Sequence, residues 1–152
     1  MKKTKGGESM SVLQAQKIVI PIDFSDLSFD ALEKGLDIAG GDTKRVHLIH
    51  VLADLAVNEP GAIWGEINNE KRTRNVKEAL REKLQGQRYQ GLSIDVEFGD
   101  AGFRISDFAK KIGADLIVMP SHGRTGLSRV LIGSVAQRVV QLAHCPVLVL
   151  RS

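Results

Sequence analysis

At 152 residues, with 43% hydrophobic and 26% charged side chains, the chain is long enough for one compact domain and too short for two ordinary ones. The formal charge of +3 is a small excess of 21 basic over 18 acidic side chains, and five Phe, one Tyr and one Trp leave few rings to stack on bases, so nucleic acid is not expected as a partner. No apolar run approaches bilayer length, which speaks against membrane insertion, and the one cysteine, Cys145, cannot form an intrachain disulfide, so the expected location is the reducing cytoplasm.

Residues 1–16 carry Lys2, Lys3 and Lys5, then Gly6, Gly7 and Glu8, without the apolar centre of a secretory signal. They are expected to form a flexible N-terminal tail before a single domain over 17–152. The first strand is expected at 17–22 (K-I-V-I-P-I), a nearly continuous apolar run suited to burial on both faces, with Asp23 at its end. A helix over 27–39 follows, placing Phe29, Leu32, Leu36 and Ala39 on one stripe and Asp26 and Asp30 outside it, and Gly40 and Gly41 end it. Residues 45–51 (R-V-H-L-I-H-V) read as the second strand, and 52–65, with Pro60, Gly61 and Gly65, as a long loop of the kind that tends to be functional or mobile.

A helix over 66–85 carries Val76, Leu80 and Leu84 beneath a dense mixture of Arg, Lys and Glu, which reads as a solvated face because acidic residues interrupt the basic ones. The third strand falls at 92–98, a helix at 102–112, the fourth strand at 115–119, a helix at 134–143 and the last strand at 146–151. Strands and helices in strict alternation predict an α/β fold: a three-layer, open, five-stranded, mainly parallel sheet with helices on both faces.

In such sheets ligands bind beyond the carboxyl ends of the strands. Asp23, Val51 and the run M-P-S-H-G-R-T-G-L-S-R-V-L-I-G-S over 119–134 all fall at strand ends, so three distant segments are expected to meet around one cleft. The run leaves a buried strand and enters a helix through Gly123, Gly126 and Gly133, with Arg124 and Arg129 nearby. Small residues at a helix N-terminus let backbone N–H groups converge on a phosphate. Asp23 can accept from a ribose or serve as a turn residue before the first helix, Val51 and Met119 offer apolar contact to a base, and Ser134 is expected to cap the last helix while facing a phosphate.

Other chemistries lack their residues. No glycine is followed by the Lys and hydroxyl residue of G-x-x-x-x-G-K-S/T, and the G-x-S-x-G of a nucleophile elbow is absent. His47 and His50 stand three apart on one strand and point to opposite faces, so no zinc spacing is present. Cys145, before Pro146, reads as a small buried residue. His122 is the best placed group for acid or base chemistry, with positioning of the loop the plainer role. Any catalysis is expected to be no more than slow ATP hydrolysis.

Three stretches carry a family likeness: K-I-V-I-P-I-D-F-S over 17–25, H-L-I-H-V over 47–51, and A-D-L-I-V-M-P-S-H-G-R-T-G-L-S-R-V-L-I-G-S-V-A-Q-R-V-V-Q-L-A-H-C-P-V-L-V-L over 114–150. Over 17–151 the chain resembles the universal stress proteins, UspA-like nucleotide-binding domains with a Rossmann-like fold of the adenine nucleotide alpha hydrolase kind. The ATP-binding branch carries a glycine, two residues, a glycine, nine residues, then a glycine with Ser or Thr. Gly123, Gly133 and Ser134 match, whereas Pro120 stands at the first glycine and brings no N–H.

Donors at Ser121, His122, Gly123, Gly133 and Ser134 remain. The resemblance implies that Pro21, Ile22, Asp23 and Val51 line the adenosine side, that Met119, Gly123, Arg124, Gly133, Ser134 and Val135 enclose the phosphates and adjoining sugar, and that the ligand is ATP, alone or with Mg2+. It also implies a homodimer, formed through the last strand at Val147, Leu148, Val149 and Leu150, whose apolar edge calls for pairing in any case. A regulatory role in stress response, with unidentified protein partners, follows from the resemblance alone. The competing expectations are an interaction module of the same fold without nucleotide and, behind it, an enzyme acting on an adenylated substrate.

Overall fold

The computed structural model describes residues 14–56, 68–123 and 131–151. Five parallel strands, β1 (Ile18–Pro21), β2 (Val46–Leu52), β3 (Ser93–Phe98), β4 (Leu116–Pro120) and β5 (Val147–Leu150), form one sheet in the order β3-β2-β1-β4-β5. Helices α1 (Asp26–Ile38), α2 (Asn69–Lys83), α3 (Ala101–Ile112) and α4 (Ser134–Leu142) alternate with them. Every element expected from periodicity is present, with ends displaced by a few residues, as fraying ends are.

Alternation along the strands sorts the core into two layers. Ile18, Ile20, Val46, Leu48, Leu116 and Val118 meet Ala31, Leu32 and Leu36 of α1 and Leu80 of α2 on one face. Val19, Ile49, Ile117 and Met119 meet Ile105, Phe108 and Ala109 of α3 and Ala136 and Val139 of α4 on the other. Each fully buried Leu or Ile contributes on the order of 1.5–3 kcal/mol. In α2 only Leu80 is buried, in keeping with the solvated face expected there.

The helix starts are set by short polar side chains. Ser25 accepts from Ser28 N to cap α1, Asn68 from Lys71 N to cap α2, and Asp100 from Phe103 N to cap α3. Helix α4 differs: its cap is Gly133, which brings no side chain, and Ser134 is its first residue. The expectation that Ser134 caps this helix is therefore corrected. The backbone reaches extended geometry at Gly133 (φ −67°, ψ 157°), one position earlier.

Residues 14–16, placed in the tail from sequence, are held against the sheet: Ala15 is buried, its carbonyl accepts from Arg45 Nε at 3.0 Å, and the N–H groups of Gln16 and Lys17 donate to the Asp115 carboxylate. The rest of the tail and most of the loop expected over 52–65 lie outside the described residues.

Candidate functional site

From β1 the chain proceeds to β2 and β3 on one side and then returns to β4 and β5 on the other, so the topological switch lies between β1 and β4. A cleft of about 500 Å³ opens there. It is lined by Pro21, Ile22 and Asp23 after β1, Ile49 and Val51 of β2, and Met119, Pro120, Ser121, His122 and Gly123 after β4. Gly133, Ser134 and Val135 at the start of α4 complete it. Every site residue expected from sequence thus meets at one cleft, except Arg124, which lies outside the described residues together with Gly126 and Arg129.

The cleft opens because two prolines stop the sheet from closing. Ile22 donates to the Ile49 carbonyl at 2.9 Å, so alternation turns the backbone groups of Pro21 toward β4. Ile117 donates to Pro146 and Ser121 to Leu150, which turns the backbone of Pro120 toward β1. Continued pairing would require Pro21 to donate to β4 and Pro120 to donate back, and neither has an N–H. The β1–β4 pairing accordingly extends only through Ile18↔Leu116 and Val19↔Ile117, while β1–β2 runs to Pro21↔Ile49 and β4–β5 to Pro120↔Leu150.

Asp23 sits in the turn that leads into α1. Its Oδ1 accepts from Ser25 N at 3.0 Å and Ser25 Oγ at 2.5 Å, and its own N–H approaches Ser28 Oγ at 3.4 Å. The turn role weighed for this residue is thus real and coexists with its place on the cleft. Phe24, next in the chain, has φ +66°, an unusual conformation for an aromatic residue, held by edge-on packing against Phe29 and His50. His50 Nδ1 lies 2.6 Å from the Ile22 carbonyl, and since a carbonyl only accepts, this nitrogen carries the proton.

Two glycines lie in close approach, Gly123 to the end of a side chain and Gly133 to backbone, and only the second cannot be relieved by a side-chain shift. A Cβ on Gly123 would stand 2.7 Å from Asp23 Oδ2, and one on Gly133 would stand 2.9 Å from the Ser121 carbonyl. The backbone donors expected from sequence are fewer than supposed, because Gly133 N–H is spent on Ser121 O at 2.6 Å and Ser121 N–H on Leu150 O at 2.8 Å. What faces an anion instead is the first turn of α4, where Ser134, Val135 and Ala136 line the cleft at the positive end of the helix without a side-chain cap. His122 Nδ1 lies 2.9 Å from Ser121 Oγ, and its Nε2 is buried with no hydrogen-bond partner among the described residues.

His47 and His50 lie on opposite faces of β2, and among the described residues no group of three or more His, Cys, Asp and Glu is placed to hold a metal. Cys145 is half-buried against the α3–α4 layer, and burial, aided by Asp115, raises its thiol pKa. Sequence reasoning passed over Ser28, Ile49, Ala101, Ile105, Leu131, Ile132 and Ala136, which also line the cleft. Ala101 and Ile105 were reachable from the rule that each strand's carboxyl end feeds the same edge. Ser28 was not, since it points inward only because the Asp23 turn brings it there.

The family profile of the universal stress protein family matches the chain over residues 14–151, the span that holds this sheet and its cleft. The chain belongs to the universal stress protein family. Among curated relatives, universal stress protein MJ0531 of Methanocaldococcus jannaschii is 40% identical over 140 residues, covering 90% of this chain and 82% of the relative. Universal stress protein YxiE of Bacillus subtilis is 32% identical over 146 residues, covering 89% and 98%. Among solved structures, universal stress protein UspA from Lactobacillus plantarum superposes with a TM-score of 0.72 at 27% identity, covering 90% of this chain and 97% of that one. The universal stress protein profile begins at residue 14, one position before the buried Ala15.

Proposed function

We propose that this universal stress protein binds an adenine nucleotide, ATP, in the cleft between β1 and β4 and acts in the cytoplasm as a homodimeric regulator in stress response. The observation that carries the reading is the juxtaposition, in one cleft, of an apolar wall, a carboxylate and an uncapped helix start. Ile49, Val51, Ile105 and Met119 offer apolar contact to a base, and Asp23 accepts from a sugar hydroxyl. The first turn of α4 takes the phosphates, with Gly123 leaving the space between them and Asp23. Arg124 adds charge by its position in the motif, and Mg2+ accompanies the phosphates where the nucleotide brings it.

The test is direct: denature the purified protein, look for released nucleotide by mass spectrometry, and titrate ATP with magnesium by calorimetry. Binding at or below millimolar ATP supports the reading, and its absence from both measurements overturns it. A second reading, an interaction module without nucleotide, is favoured by one observation, the N–H missing at Pro120. It predicts the negative outcome of the same titration.

A further inference from the structure

We propose that β3, at the edge of the sheet far from β5, takes up an extended basic segment of a partner protein as a sixth strand. β3 pairs with β2 on one side and ends the sheet on the other. Gly99 donates to the Leu52 carbonyl at 2.9 Å, so by alternation Ser93, Asp95 and Glu97 turn their backbone groups toward β2, while Ile94, Val96 and Phe98 turn theirs outward. Among the described residues no strand pairs with that outward row. The backbone lacks the devices that commonly blunt an edge. The strand S-I-D-V-E-F contains no proline, and its register with β2 runs without a bulge from His47↔Ser93 to Leu52↔Phe98.

The side chains decide which strand fits. Ile94 packs into the α1–α2 layer, and Arg72 of α2 stands over the Phe98 ring at 5.1 Å, so on this face a joining strand meets apolar groups. Asp95 and Glu97, two positions apart, lie on the other face, half-buried beside Ile49 and Val51 of β2. Ser93 Oγ donates to Asp95 Oδ2 at 3.0 Å, and among the described residues neither carboxylate enters a salt bridge. A second copy of β3 laid against this edge would bring carboxylates beside carboxylates, and like charges on neighbouring strands repel. An extended segment with Lys or Arg at alternate positions instead sets cations beside Asp95 and Glu97 and its remaining side chains beside Ile94, Val96 and Phe98. Main-chain hydrogen bonds supply the attachment and the two carboxylates the choice of partner. The edges of the sheet thus suit different partners: β5 presents V-L-V-L without charge, and β3 presents two acids.

The experiment titrates the full chain at low ionic strength with a fluorescein-labelled peptide, T-K-V-K-V-K-T, and with its counterpart T-E-V-E-V-E-T, and follows amide exchange by NMR. The lysine peptide is expected to bind about tenfold more tightly than the glutamate peptide and to slow exchange at the amides of Ile94, Val96 and Phe98 by about fivefold or more. Val96→Pro removes an outward donor, spares the β2 ladder and weakens binding by about fivefold. Asp95→Lys combined with Glu97→Lys keeps the backbone as it is and reverses the preference between the peptides. No binding of the lysine peptide at millimolar concentration, equal affinity for the two peptides, or binding that leaves the three amides unprotected would overturn the inference. So would protection of the same amides by raised protein concentration alone, which would give the edge to a second copy of the chain.

Discussion

Gly133 N–H donates to the Ser121 carbonyl at 2.6 Å, tying the end of β4 to the start of α4. This bond fixes where the helix begins and so where its positive end points. A Cβ at position 133 would stand 2.9 Å from that same carbonyl. Gly133→Val therefore pushes α4 away from β4. The expected outcome is a loss of about 1–3 kcal/mol in chemical denaturation, with an ATP affinity at least tenfold weaker by calorimetry. Unchanged affinity would place the phosphates away from this helix.

The carboxylate at the other side of the cleft is tested by Asp23→Asn. The amide keeps an oxygen to accept from Ser25, so the turn into α1 and the strained Phe24 behind it persist, and thermal stability changes little. The charge is lost, and an NH2 group stands where one of the two oxygens was. Affinity for ATP is expected to fall by about fivefold to tenfold, the loss of one charge-assisted hydrogen bond. A parallel fall in stability would instead assign Asp23 to the turn alone.

Much of this site was legible in the sequence, for identifiable reasons. Strand and helix periods placed Asp23, Val51 and Met119 at strand ends, and the parallel-sheet rule then brought them together before any coordinate did. Hydrogen-bond commitments were not legible. Gly133 and Ser121 read as donors to a ligand because their partners, Ser121 O and Leu150 O, are fixed only by tertiary pairing. Pro120 read as a lost donor, but its opposition to Pro21 depends on β1 and β4 being neighbours, which chain order alone does not give. Ala15 read as part of the tail because the group that holds its carbonyl, Arg45, stands 30 positions away, and Asp115, which holds the next residue Gln16, stands 99 from it.

His47 supplies a dependence of stability on pH. Its pKa is lowered from 6.5, first by burial and then by Lys17, against an opposing pull from Asp95. Below pH 6.5 the unfolded chain therefore binds a proton that the folded protein resists, and stability falls with pH until the folded imidazole also titrates. Above 6.5 both states are neutral and the contribution is flat. Urea denaturation at pH 7.5 and 5.5 is expected to show lower stability at 5.5 in the wild type and a smaller difference in His47→Gln. An equal pH difference in the variant would assign the effect to other groups.

Cys145 is expected to react slowly. Burial raises its thiol pKa, Asp115 adds to the rise, and only the thiolate is the nucleophile. At pH 7.4 iodoacetamide should label the native protein more slowly than the urea-unfolded chain, with the native rate rising on going to higher pH. Equal native and unfolded rates would remove the protection inferred from packing.

The last prediction concerns assembly through β5. Val147 packs into the α3–α4 layer and Leu148 and Leu150 into the α1–α2 layer, so a charged substitution at any of these would confuse a lost interface with a damaged core. The backbone offers a cleaner test. Ile117 donates to Pro146 O and Ser121 to Leu150 O, so Leu148 and Leu150 turn their backbone groups toward β4 while Val147 and Val149 turn theirs outward along the sheet edge. Val149→Pro removes an outward donor and leaves the β4 ladder intact, a setting in which a strand tolerates proline. Sedimentation velocity is expected to show a shift from dimer to monomer, while the circular dichroism spectrum and ATP affinity hold. A dimer that survives the substitution would mean that its two copies do not meet by pairing β5 with β5.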